Sequence, residues 1–271
     1  MTLALERRGP VLHVTLNRPD LRNAMSLRMV TELRAALKDA ESSDQVRVIV
    51  LRGAGGHFCA GADLKDMAAA RMQAMQSQPH ASADETGLDA VAQANLQFGE
   101  LCLAFASTPL ALVAVLEGSV MGGGLGLACV ADVALACESA VFRLPETALG
   151  MVPAQIAPFL VERLGYSQAK RLAVTGGRVK ATDALAIGLV HAVHAADQID
   201  TALAAVLGDI LACAPGALAA TKALIERARR TAAAELLRPA ALVFSRAAQG
   251  AEGIEGSTAF IQKRKPKWAV T

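Results

Sequence analysis

Three short stretches of this chain carry residue types suited to chemistry on a carbonyl compound. Gly118-Ser119-Val120-Met121-Gly122-Gly123-Gly124-Leu125-Gly126-Leu127 sets a glycine run between Ala111 to Leu116, which reads as a buried strand, and Leu125 to Val130, which reads as the first turns of a buried helix. Main-chain N–H groups at a helix start lack intrahelical partners and attract negative charge. Lacking Cβ atoms, Gly122 to Gly124 let a ligand approach the main chain, which suits a carbonyl oxygen that turns anionic during reaction. A tight strand-to-helix turn uses the same residues without chemistry. The second stretch, Gly53-Ala54-Gly55-Gly56-His57-Phe58-Cys59-Ala60-Gly61-Ala62-Asp63-Leu64-Lys65, follows the β-branched run Val46 to Leu51 and leads into a helix that Asp63 could cap. Both loops present small-residue backbone between a strand end and a helix start, so a pair of main-chain donors could converge on one oxygen. The third is Glu146, flanked by Phe142, Leu144, Pro145, Ala148 and Leu149. That apolar setting disfavours the carboxylate and suits an acid that moves a proton, although Pro-Glu-Thr is also an ordinary helix start.

Positioning these groups requires alternating elements. Strand-like segments at Val11 to Leu16, Val46 to Leu51, Ala111 to Leu116 and Val133 to Ala136 alternate with helical patterns at Leu27 to Ser42 and Ser167 to Thr175, which predicts an α/β fold. Ala68 to Gln93 reads as irregular, with Ser77-Gln78-Pro79-His80 and Asp84-Glu85-Thr86-Gly87 as breakers. It is either a lid lined by Met72 and Met75 or a surface excursion.

The sequence resembles the crotonase superfamily, the enoyl-CoA hydratase/isomerase family, over nearly its whole length. The likeness rests on Leu16-Asn17-Arg18-Pro19 with Arg22-Asn23-Ala24-Met25, on Phe58 to Leu64, and on Gly122-Gly123-Gly124. It continues in Leu144-Pro145-Glu146 with Gly150-Met151-Val152-Pro153, and in Glu252-Gly253 with Ala259 to Arg264. The resemblance implies a spiral of repeated ββα units over residues 1–196 that holds the active site. It implies a helical region over 197–271 that packs the chain into trimers, often paired as hexamers. It also implies that the N–H groups of Ala62 and Gly123 form an oxyanion hole for the thioester carbonyl of an acyl-CoA substrate, with Glu146 as the acid/base. Arg22, Ala24, Ala60, Gly61, Asp63 and Leu64, with Gly122, Gly126 and Gln155, would line the substrate site. Lys263 or Arg264 would reach the coenzyme A phosphates. No cofactor beyond the coenzyme A of the substrate is implied.

Typical hydratases of that family carry a second glutamate where this chain has Gly126. Its absence resembles a hydratase branch that acts on branched or carboxylated glutaconyl-type thioesters, in which Pro-Ala-Gln-Ile-x-Pro follows the glutamate, as Pro153 to Pro158 does here. Hydration is the first reading, and Δ3,Δ2-enoyl-CoA isomerisation with Glu146 as proton shuttle is the alternative. A non-catalytic acyl-CoA or RNA binder is the third. Gln155 either orients water in place of the missing carboxylate or ties down its own loop.

Composition bounds these readings. The 271 residues can bury a substantial core, and a formal charge of +2 with 3% aromatics gives no electrostatic footprint for nucleic acid. Five cysteines, without Cys-x-x-Cys spacing, argue against a disulfide framework and for reduced cytoplasm. The apolar run Leu110 to Cys137 is broken by Glu117 and Asp132, which leave an uncharged stretch between them well short of the ~20 residues that span a bilayer, and it reads as core. The N-terminus has no basic start followed by a long apolar stretch, so no secretory signal is expected. His191 and His194 should point to opposite faces of a strand and so make no metal pair, His57 should pack its loop, and no dinucleotide or phosphate-loop glycine pattern survives inspection.

Overall fold

Continuous apolar runs become central strands here because both sheet faces are covered. In the computed structural model, which describes residues 1–76 and 87–269, the first half runs β1 (Leu3–Arg8), β2 (Val11–Leu16), α1 (Leu27–Glu41), β3 (Val48–Gly53), α2 (Leu64–Gln76), α3 (Ala90–Ser107) and β4 (Ala111–Leu116). There follow β5 (Ser119–Met121), α4 (Gly123–Val130), β6 (Val133–Cys137), β7 (Val141–Arg143), α5 (Ala157–Thr175), β8 (Arg178–Lys180), α6 (Ala181–Ala186) and β9 (Ala192–His194). Four helices close the chain, α7 (Ile199–Ala212), α8 (Pro215–Ala228), α9 (Ala233–Gln249) and α10 (Ala251–Ile261).

The larger sheet has the order β1-β2-β3-β4-β6-β9, antiparallel only at β1/β2, and the smaller has the order β5-β7-β8. The chain therefore steps from a strand of the large sheet to one of the small sheet and then into a helix, as in β4-β5-α4, giving the crotonase-type α/β fold. The central strand β4 is buried throughout, with Leu112, Ala114 and Leu116 in the main core and Val113 and Val115 on the opposite face against Ile199 and Leu203 of α7. The two charges that interrupt its apolar run are paired. Glu117 accepts from Arg52 at 2.7 Å, and Asp132 accepts from the Leu112 N–H at 2.7 Å and from Lys222 at 2.5 Å. Among the described residues no single helix is long and apolar enough to cross a membrane. All five cysteines are free, and only Cys213 is exposed.

The irregular reading of Ala68 to Gln93 needs correction at both ends. Residues 64–76 are helical, and α3 starts at Ala90 with the Asp89 carboxylate capping the Ala92 N–H at 2.8 Å. Ala, Met and Gln are good helix formers, and they outweigh the weak apolar periodicity of this segment. The breakers at 77–86 lie outside the described residues. Met72 and Met75 do not line a cavity, since they are 61% and 86% exposed. Helical spacing turns Met67 and Ala70 inward instead.

Candidate active site

The two glycine-rich loops are laid side by side by main-chain bonds. Cys59 and Val120 form a parallel bridge in which the Cys59 N–H donates to the Ser119 C=O at 2.9 Å and the Met121 N–H donates to the Cys59 C=O at 2.9 Å. A second bridge pairs Met25 with Ala62, through Met25 N–H to the Gly61 C=O at 2.7 Å and Asp63 N–H to the Met25 C=O at 2.9 Å. Gly61 has φ +99, and a Cβ there would stand 3.4 Å from the Met121 carbonyl oxygen and 3.9 Å from the Gly122 Cα. Among the described residues, both bridges leave the Ala62 N–H without a bond, and Gly123, the first residue of α4, has none for its N–H either. Two main-chain donors therefore follow directly after two glycines that leave no room for a side chain between them.

Arg22, Asn23 and Ala24 brace this arrangement from behind. Asn23 is fully buried, with its side-chain oxygen accepting from the Arg18 N–H and its amide nitrogen donating to the carbonyls of Ala54 at 2.9 Å and His57 at 2.6 Å. The Arg22 C=O accepts from the Ala60 N–H at 2.9 Å, and the Ala24 C=O accepts from the Arg18 guanidinium at 2.7 Å. Arg18 also pairs with Asp63 at 2.7 Å. Burial pushes the Asp63 carboxyl up, but the Arg18 guanidinium and the Lys65 N–H more than offset this and hold it below its ordinary value. His57 accepts from the Ser119 N–H through Nδ1, which is the packing role expected of it. His191 does the same for Ala134, and the His194 C=O accepts from the Glu138 N–H.

Glu146 opens a single 3-10 turn, Glu146–Leu149, after β7. Its Oε1 would lie 2.9 Å from a Cβ on Gly122, so glycine is required there for the carboxyl to reach the junction of the loops. Its Oε2 is buried without a hydrogen-bond partner among the described residues, and burial pushes the carboxyl above its usual range. Ala62, Gly123 and Glu146 line one cavity of about 190 Å³. Most of its wall is apolar, supplied by Met25, Val30, Met67, Ala70, Phe98 and Ile156.

Of the other residues expected at the site, Asp63 and Gln155 line the cavity. Arg22, Ala24, Ala60 and Gly61 do not, and act through the braces above, while Leu64 is exposed beyond the rim. Gly122 and Gly126 stand behind the wall, where Gly122 yields space to Glu146 and Gly126 to Ile156. A Cβ on Gly126 would meet the Ile156 Cγ2 at 2.4 Å, so the place of a second glutamate is filled by an isoleucine methyl. Lys263 follows α10 with φ +52 and lies outside the cavity wall, and Arg264 is held by Glu255 at 2.7 Å. The face of α3 that carries Val91, Ala94, Asn95 and Phe98 was not anticipated from sequence. Its spacing is helical, and the assumed break before Ala94 concealed it.

The α/β fold, with two glycine-rich loops and a carboxyl lining one cavity, is that of the crotonase class. Residues 6–270 match the family described as enoyl-CoA hydratase/isomerase, and this chain belongs to that family. It is 33% identical over 264 residues, 95% of this chain and 85% of the relative, to the human "Enoyl-CoA hydratase domain-containing protein 2, mitochondrial". Among solved structures it is similar to an enoyl-CoA hydratase/isomerase from Marinobacter aquaeolei, at 48% identity and TM-score 0.92 over 99% of each chain. It is also similar to Pseudomonas aeruginosa AtuE, at 50% identity and TM-score 0.92 over the full length of both.

Proposed function

We propose that this protein is an enoyl-CoA hydratase that adds water across the α,β double bond of a coenzyme A thioester, with the N–H groups of Ala62 and Gly123 holding the thioester oxygen. The observation that carries this reading is the buried Glu146 Oε2, unpartnered among the described residues, in a cavity shared with two main-chain donors that bond nothing else among them. As the water oxygen bonds to Cβ, one of its protons passes to the Glu146 carboxylate and the π electrons move to the thioester oxygen. Glu146 then returns a proton to Cα. Donors fixed before the charge appears contribute about 100- to 1000-fold each, and a positioned carboxyl about 100- to 10,000-fold.

The apolar wall favours a branched acyl group, and the glutaconyl-type reading rests on the resemblance of the Pro153-Ala154-Gln155-Ile156 stretch alone. Exposed Phe244, Phe260 and Ile261 in the C-terminal helices favour assembly into trimers or hexamers. Lys263, whose ammonium has no partner among the described residues, is free to meet a coenzyme A phosphate. The test is turnover of a 2-enoyl-CoA panel in 18O water by the native protein and by Glu146→Gln. Label in the product at a rate cut at least 100-fold by the substitution supports the reading, and unlabelled product overturns it. Isomerisation is the second reading, favoured by the methyl that fills the Gly126 side and leaves one carboxyl.

A further inference from the structure

With Ile156 filling the space beside Gly126, α4 offers no side chain to a reacting water. A single carboxyl also has to receive one proton and deliver another, so something else must hold the water oxygen at Cβ. The cavity wall carries six polar side chains, and three of them are committed elsewhere. Ser26 caps α1 at the Met29 N–H, Asp63 binds Arg18, and Asp66 accepts from the Leu27 N–H at 2.8 Å. Glu146 is the acid/base. Asn95 and Gln155 remain, and among the described residues neither side-chain amide makes a hydrogen bond.

The two amides meet at α3, which carries Asn95 and against which the turn that carries Gln155 packs. The Gln155 Oε1 stands 2.1 Å and its Cδ 2.7 Å from where a Cβ on Gly99 would be, so the side chain occupies the notch that this glycine leaves in the helix. Asn95 is four residues earlier on the same face, and neighbours at that spacing are about 5 to 6 Å apart. One water bonded to both amides spans that distance. Gly99 is thus the counterpart of Gly126: one glycine admits the isoleucine that removes the α4 position, and the other admits the adjacent glutamine to the cavity.

We propose that Asn95 and Gln155 together position the attacking water, the Asn95 carbonyl oxygen accepting one of its protons and the Gln155 NH2 donating to one of its lone pairs, so that its other proton faces Glu146 and its other lone pair faces Cβ. This rests on the hydration reading above. The amides are positioning groups and exchange no proton with substrate, so Glu146 and the two main-chain donors keep their roles.

The test uses the full-length protein and the variants Asn95→Ala, Gln155→Ala and the double. Three quantities are measured: kcat for 18O incorporation on a glutaconyl-type 2-enoyl-CoA, Kd for the corresponding saturated, unreactive acyl-CoA, and the thermal midpoint. Each single substitution is expected to lower kcat about tenfold and the double about 100-fold, the effect of removing one hydrogen bond and then two. Kd should stay within about twofold, and the midpoint should be unmoved. An unchanged kcat in the double variant overturns the proposal, as does a kcat loss matched by an equal loss in Kd or by a lower midpoint. Native protein that turns over the panel without incorporating label overturns the hydratase reading itself, a result distinct from either of those.

Discussion

Replacing Gly126 by Ala sets a methyl 2.4 Å from the Ile156 Cγ2 and 3.4 Å from the Phe98 Cε1, whereas carbon atoms rest at about 3.5 to 4.0 Å. Ile156 is 4% exposed and cannot move aside without displacing the Gln155 turn beside it. Overpacking of this kind costs about 1 to 3 kcal/mol, from which the better helix propensity of alanine recovers about 0.5 to 1 kcal/mol. A net loss of up to about 2.5 kcal/mol is expected for Gly126→Ala alone. Ile156→Ala alone should cost about 2 to 5 kcal/mol by leaving a cavity. Together the new methyl enters the vacated space, so the double variant should be more stable than the sum of the singles by about 1 to 3 kcal/mol. Ile156→Val keeps the offending γ-methyl and should give no such coupling. Urea unfolding at one fixed protein concentration measures all of these. Additivity within about 0.5 kcal/mol, or equal relief from Ile156→Val, would refute the claim that this methyl occupies the place of a second carboxyl. If the coupling is found, Gly126→Glu should be tolerated only alongside Ile156→Ala.

Gly122→Ala combines φ +49 with a Cβ 2.9 Å from the Glu146 Oε1, and should lower hydration turnover at least tenfold by moving the carboxyl, read from kcat on the same panel. The pKa of Glu146 is raised on folding, so its neutral form is the one the fold accommodates. Stability from that group is fully present below the ordinary carboxylate value of 4.5 and is lost as pH rises through the raised one. Glu146→Gln, permanently neutral, should therefore melt with the native protein at pH 4 and above it at pH 8. An equal midpoint at both values would contradict the burial argument. Asn23→Gly keeps backbone freedom at φ +58 but removes the side chain's bonds to Arg18, Ala54 and His57. It should cost about 2 to 3 kcal/mol in urea unfolding, and turnover should fall as the first loop loosens.

The parts of the structure legible in the sequence are those whose signal is local. Val11–Leu16 and Ala111–Leu116 are strands at the expected boundaries because unbroken β-branched and apolar runs have few alternatives. The glycine loops and the apolar surroundings of Glu146 were readable for the same reason. Strands β5, β7 and β8, three residues each, left no periodic trace, since their pairing is decided by distant partners. The cavity face of α3 was hidden by polar residues at Gln93, Asn95 and Gln97 that dilute its apolar stripe. The complementarity of Gly126 with Ile156, and of Gly99 with Gln155, is steric fit across sequence distances that no window spans.

The bridge between Cys59 and Val120 has a consequence for how such a chain can diversify. The paired amides hang from a rung that joins Cys59, before α2, to Val120, after β4, so side chains replaced on the cavity faces of α2 and α3 leave their spacing untouched. New acyl preferences can be written into Met67, Ala70, Val91 and Phe98 while the groups that meet the carbonyl stay fixed.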